Sequence, residues 1–134
     1  MKFILTFIWA LIPPIVLAHS GATGVVKERM ERFEQSKEEM KALRAALKQN
    51  DAVKAREIAK SLTQWASVMT QSFPENSNPT PSEAKDRIWQ DWQGFVEAAA
   101  DFERAALAVE AKPDMSGFKV LGQSCKGCHD NYRE

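Results

Sequence analysis

The sequence predicts an all-α protein, an antiparallel four-helix bundle, on three observations. Four segments each carry apolar residues at steps of three and four, the period of a helix with one buried face. No segment alternates apolar and polar residues as a half-buried strand does. The breakers leave two short connections and one long one, which suits helices packed antiparallel around a shared core. At 134 residues, 44% hydrophobic and 27% charged, the chain has material for one such domain.

The bundle is expected to start only after a leader. Lys2 is followed by the apolar run 3–12, by Pro13-Pro14, and by small residues at Ala18 and Ser20. This reads as a secretory signal peptide over residues 1–18, with cleavage after Ala18 or after Ser20, and it leaves the bundle at 22–134. The apolar stretch is short for a membrane-spanning helix, and the two prolines break it. His19 falls at the cleavage boundary and is assigned no role.

Each helix then has its own signals. The first, over about 25–48, carries Val26, Met30, Phe33, Met40, Leu43 and Leu47 as its apolar stripe. Asn50-Asp51 supplies a stop and a new N-cap, and Ala55, Ile58, Leu62, Ala66 and Met69 form the second stripe. Residues 70–81 hold Phe73-Pro74, Asn76, Asn78, Pro79 and Pro81 and predict the long connection. Thr80-Pro81-Ser82-Glu83 reads as a capping box that starts the third helix, whose stripe is Ala84, Ile88, Trp92, Phe95, Ala99, Phe102, Ala106 and Val109. Lys112-Pro113-Asp114 ends it, and Phe118, Leu121, Cys125, Cys128 and Tyr132 continue the spacing in the fourth. The acidic residues of helix one, Glu28, Glu31, Glu34, Glu38 and Glu39, read as a solvated face with ion pairs at four-residue spacing.

Charge narrows the function. Eighteen basic residues balance eighteen acidic ones, so no basic field exists to hold phosphate backbones, and nucleic acid is excluded as a partner. The carboxylates lie among lysines and arginines rather than in opposed pairs, and no hydrolytic or proton-transfer catalysis is expected. The chemistry is concentrated at the C-terminus.

The chain has two cysteines, and both lie in Cys125-Lys126-Gly127-Cys128-His129, the attachment signature of a c-type haem. Two thiols three positions apart on one helical turn can each add to a vinyl group of the porphyrin. The adjacent His129 then lies beneath the iron as axial ligand. Gly127 leaves space where a side chain would crowd the ring. A structural zinc site needs about four ligands, and the only other histidine is His19. A disulfide or a thioredoxin-like pair fits an oxidising compartment, but the latter expects a βαβ setting with the pair opening a helix. One covalently bound haem c near the C-terminal end of helix four is therefore the expected cofactor.

With those residues in place, the chain resembles the class II cytochromes c, the family of cytochrome c′ and its low-spin relatives. The resemblance rests on Arg29 in helix one, Phe73-Pro74 in the long loop, Ile88-Trp89 in helix three, and above all the run from Cys125 to Arg133. It implies thioethers at Cys125 and Cys128, His129 as proximal iron ligand, Arg133 beside that histidine, and Arg29 paired with a haem propionate. Taken alone, both arginines would read as members of a solvated helix face. Low-spin members place a ligating methionine four residues after the helix-one arginine, and this chain has Phe33 there. A phenyl ring has no lone pair to offer, so the resemblance implies a five-coordinate iron with Phe33 as distal wall. Met30, one turn earlier, is read as core, and becomes a ligand only if the helix slides.

The function expected is an exported mono-haem cytochrome that transfers electrons to redox proteins of the periplasm. The alternative is a five-coordinate binder of nitric oxide or carbon monoxide, which Phe33 favours. A third reading keeps the bundle as a binding module with the cysteines in a disulfide. The resemblance also implies a homodimer through the first two helices, with Trp65, off the helix-two stripe, as a contact or a partly exposed ring.

Overall fold

The computed structural model describes residues 21–134. The expected signal segment 1–18, its cleavage positions and His19 lie outside the described residues. Four long helices build the bundle: α1 (Gly24–Lys48), α2 (Ala52–Val68), α4 (Trp92–Ala111) and α5 (Met115–Tyr132). A single turn, α3 (Arg87–Gln90), precedes α4, and a short 3-10 turn, Met69–Ser72, closes α2.

The helix ends follow local chemistry. Asn50 takes a φ of 57°, the left-handed conformation that asparagine tolerates after a helix, and turns the chain out of α1. Asp51 then accepts a hydrogen bond from the Lys54 N–H at 3.0 Å and caps α2. Asp114 caps α5 in the same way, accepting from Gly117 at 2.8 Å.

The core forms where the stripes meet. Leu43 and Leu47 of α1, Leu62 of α2, Phe95, Phe102 and Val109 of α4 and Leu121 of α5 are buried together. Ala55, Ala59 and Ala66 on α2 and Ala99 and Ala106 on α4 let those two helices approach closely, and they share the most extensive contact in the bundle. Between α1 and α5 contact is sparse, because a cavity separates them.

Four expectations are corrected. The third helix does not begin at the Thr80 capping box: residues 80 and 81 turn, and Ala84 forms an isolated antiparallel bridge with Arg133. The Ser82 hydroxyl is held by Arg29 at 2.7 Å and accepts the Ala84 N–H, so it starts no helix. The cap falls instead to Asp91, whose backbone (φ −127°, ψ 52°) breaks α3 from α4 and whose carboxylate accepts from Gly94 N–H at 3.3 Å. This break moves the register, and Trp92, expected on the buried stripe, is 41% exposed.

Trp65 offers no exposed ring for a dimer contact. It is 8% exposed and packs edge-on against Phe33, with ring centroids 5.5 Å apart. Helix-one ion pairing also departs from the expected spacing: Lys27 pairs with Glu31 four residues on, but Lys37 and Lys41 pair with Glu34 and Glu38 at three. Glu39 turns partly inward to Arg32 Nη1 at 3.1 Å and to the Ser61 hydroxyl at 2.7 Å.

Candidate haem site

Helix α5 sets Cys125 and Cys128 one turn apart, half-buried and unbridged, on the wall of a cavity of about 850 Å³. His129, exposed at the surface, lines the same cavity. Helix α1 contributes Arg29, Met30, Phe33 and Met40 to it, and the α2–α3 connection contributes Met69, Phe73, Ser82 and Glu83. Phe95 and Phe102 of α4 and Phe118 and Tyr132 of α5 complete an apolar, ring-rich lining. Helical spacing thus brings every site residue expected from the sequence to one cavity. Gly127 does not line it; the residue is exposed, and an added Cβ there would meet no protein atom within 4 Å.

Burial shapes the titrating groups. Loss of water around the two thiols pushes both upward. Cys128 rises to about 11, with burial the first cause and the neighbouring Cys125 the second. Partial desolvation, and then the positive charge of Arg133, lowers the pKa of His129. Both causes favour the neutral imidazole, the form that can coordinate a metal. Among the described residues no group of three or more His, Cys, Asp or Glu side chains is placed to hold a metal ion by itself.

The two arginines occupy different environments. Arg29 is only 2% exposed, so it is no part of a solvated face. Its Nη1 donates to the Ser72 carbonyl at 3.1 Å and the Ser77 hydroxyl at 2.7 Å, and its Nη2 to the Ser77 carbonyl and the Ser82 hydroxyl. The guanidinium carbon also lies 4.5 Å from the centre of the Phe73 ring. All four acceptors are neutral, so a buried positive charge on the cavity wall has dipoles around it but no counter-ion among them. Arg133 is exposed, and its Nε donates to Glu83 Oε2 at 2.6 Å.

Phe33 stands on the α1 wall, half-buried, in ring contact with Trp65 and, at 6.3 Å, with Phe73. Met30, read from sequence as core, is half-buried on the same wall and outside the main core cluster. Met40 and Met69 bring two further thioethers to the cavity that the sequence reading left as ordinary stripe residues. Ser77, Ser82 and Glu83 were also missed as site residues. They lie in a segment without helical period, and only the partner arginines, about fifty residues away in sequence, give them a role.

A family model described as Cytochrome C' matches residues 24–133, almost all of the described chain. The chain belongs to the cytochrome c′ family. A cytochrome c′ of Pararhodospirillum photometricum is 31% identical to it over 81% of this chain and 95% of its own. One from Rhodospirillum rubrum is 25% identical over 92% and 91%. The solved cytochrome c′ of Shewanella frigidimarina superposes with a TM-score of 0.73 at 26% identity, over 82% of this chain and 94% of that one. Members of the cytochrome c′ family bind haem c, and this chain is a haem protein of that family with two cysteines present for covalent attachment. The residues fit the group. The cavity is wide and apolar, both thiols of the chain lie on its wall, and the buried Arg29 charge suits an acidic edge.

Proposed function

We propose that this chain is an exported, periplasmic mono-haem cytochrome that exchanges single electrons with other redox proteins and performs no catalysis of its own. The observation that carries this reading is the convergence of Cys125, Cys128 and His129 on one apolar cavity. Haem c, once attached, supplies one-electron exchange at its iron. The protein does the rest. Cys125 and Cys128 would hold the macrocycle through thioethers, and His129 would offer its imidazole nitrogen to the iron. Arg29 places a buried positive charge toward a propionate, the acidic group that its neutral acceptors leave unanswered. Arg133 sets a second positive charge near the imidazole and disfavours further charge on the iron.

Phe33 supports a second reading. It stands where low-spin relatives have methionine, and together with Phe73 it makes the α1 side of the cavity apolar. Such a wall admits a neutral diatomic gas and disfavours water and anions, so binding of nitric oxide or carbon monoxide at an open sixth position is the alternative role.

The test is the absorption spectrum of the protein exported from a host that attaches haem, oxidised and reduced, with and without carbon monoxide. A broad, high-spin reduced Soret band that sharpens with carbon monoxide is the outcome expected for an open site walled by Phe33. Sharp low-spin bands indifferent to carbon monoxide would mean a second axial ligand, Met30 being the first candidate, and would leave electron transfer alone. No haem band surviving denaturation would overturn both.

A further inference from the structure

Residues 82–85 form a short strap fastened to both walls of the cavity. On the α1 side, Arg29 Nη2 donates to the Ser82 hydroxyl at 2.7 Å. On the α5 side, the Lys85 N–H donates to the Tyr132 carbonyl at 3.0 Å and the Glu134 N–H to the Glu83 carbonyl at 2.9 Å. Ala84 and Arg133 are thereby paired as an antiparallel bridge just past the end of α5. This register sets Glu83 beside Arg133, and its carboxylate accepts from Nε at 2.6 Å and contacts Nη2 as well.

An exposed ion pair of this kind contributes little to stability, because water screens it and two long side chains must be held still. What it does provide is position. The Arg133 side chain is long, flexible and exposed, and the contact of its Nε and Nη2 with the single oxygen Glu83 Oε2 fixes where its charge lies. We propose that Glu83 is the positioning residue that holds the Arg133 guanidinium near His129, and that the strap it sits on links the α1 wall of the haem cavity to the axial-ligand side. The proposal rests on His129 being the axial ligand. It gives the long connection a part in setting the iron's potential.

The sign of the effect separates positioning from a simple field. A nearby cation favours the reduced, less positive iron, so releasing Arg133 lowers the reduction potential. Loss of the Glu83 negative charge, acting by itself through space, raises it. The experiment is an equilibrium redox titration of the haem-loaded protein in four forms: unchanged, Glu83→Gln, Arg133→Ala, and both together, with urea unfolding as a control for the fold. We expect Glu83→Gln to lower the equilibrium constant for one-electron reduction by about threefold to tenfold when Arg133 is present, and to leave it unchanged or raised in the Arg133→Ala background. The iron–imidazole stretching band of the reduced protein should move in the same pattern. A rise, or an equal effect in the two backgrounds, would overturn the proposal. Absence of covalent haem from all four forms would overturn the site itself, and a denaturing gel stained for haem reveals that before any titration.

Discussion

A guanidinium taken out of water and hydrogen-bonded only to hydroxyls and carbonyls holds its place by geometry. Arg29 meets four oxygens from three serines with its two terminal nitrogens, a planar fork that lysine cannot reproduce. We therefore expect Arg29→Lys, although it keeps the charge, to lower unfolding stability by about 2–3 kcal/mol in urea titration, since it leaves several buried acceptors unpaired. Retention of full stability would show that charge alone suffices there. Phe33 is the other residue on which function turns. Phe33→Met puts a thioether on the α1 wall of the cavity, and the ferrous haem should change from high to low spin. An unchanged spectrum would remove Phe33 from the distal wall.

At the scale of the element, the junction of α3 and α4 decides more than its length suggests. Asp91 breaks one helix, caps the next, and accepts the Tyr132 hydroxyl at 2.8 Å, tying the start of α4 to the end of α5. Gly94 lies directly beneath this contact. A Cβ there would come within 2.5 Å of the Tyr132 hydroxyl and 2.6 Å of the Asp91 carboxylate. Gly94→Ala should cost about 1–3 kcal/mol, read by thermal or urea unfolding, as the hydrogen bond is forced apart. Gly122, inside α5, has nothing within 4 Å of an added Cβ. Gly122→Ala should instead stabilise by up to about 1 kcal/mol through helix propensity alone. If the two substitutions had the same sign, the contact beneath Tyr132 would not be what separates them.

For the whole molecule, the dominant feature is a space of about 850 Å³ between α1 and α5, lined by rings and thioethers. The space opens to solvent past Lys37, Lys41 and Arg133, while its inner wall is built from Phe33, Phe73, Phe95 and Phe102. Away from this space the bundle is held by the α2–α4 contact, dense with alanines. A chain deprived of haem by Cys125→Ala with Cys128→Ala should lose covalent haem and keep most of its far-ultraviolet circular dichroism. It should also lose its near-ultraviolet signal and bind a hydrophobic dye, the behaviour of a compact state without fixed packing. Native near-ultraviolet signal in that variant would mean that the four helices pack without their cofactor.

The four-helix-bundle class and the haem motif were legible in sequence, because each depends on residues within a few turns of one another. Steps of three and four mark a buried face, Asp51 announces its own cap, and Cys125, Cys128 and His129 sit within five consecutive positions. The tertiary structure alone decided the rest. Thr80 to Glu83 carries the pattern of a helix start, yet Arg29 and Arg133, far apart in sequence, take its serine and glutamate for themselves. Trp92 fits the buried stripe, yet the break at Asp91 turns it outward, while Trp65 lies off its stripe and is buried against Phe33. Local periodicity records which face a helix buries. Which arginine a distant loop will hold is settled only when the helices that carry them are packed together.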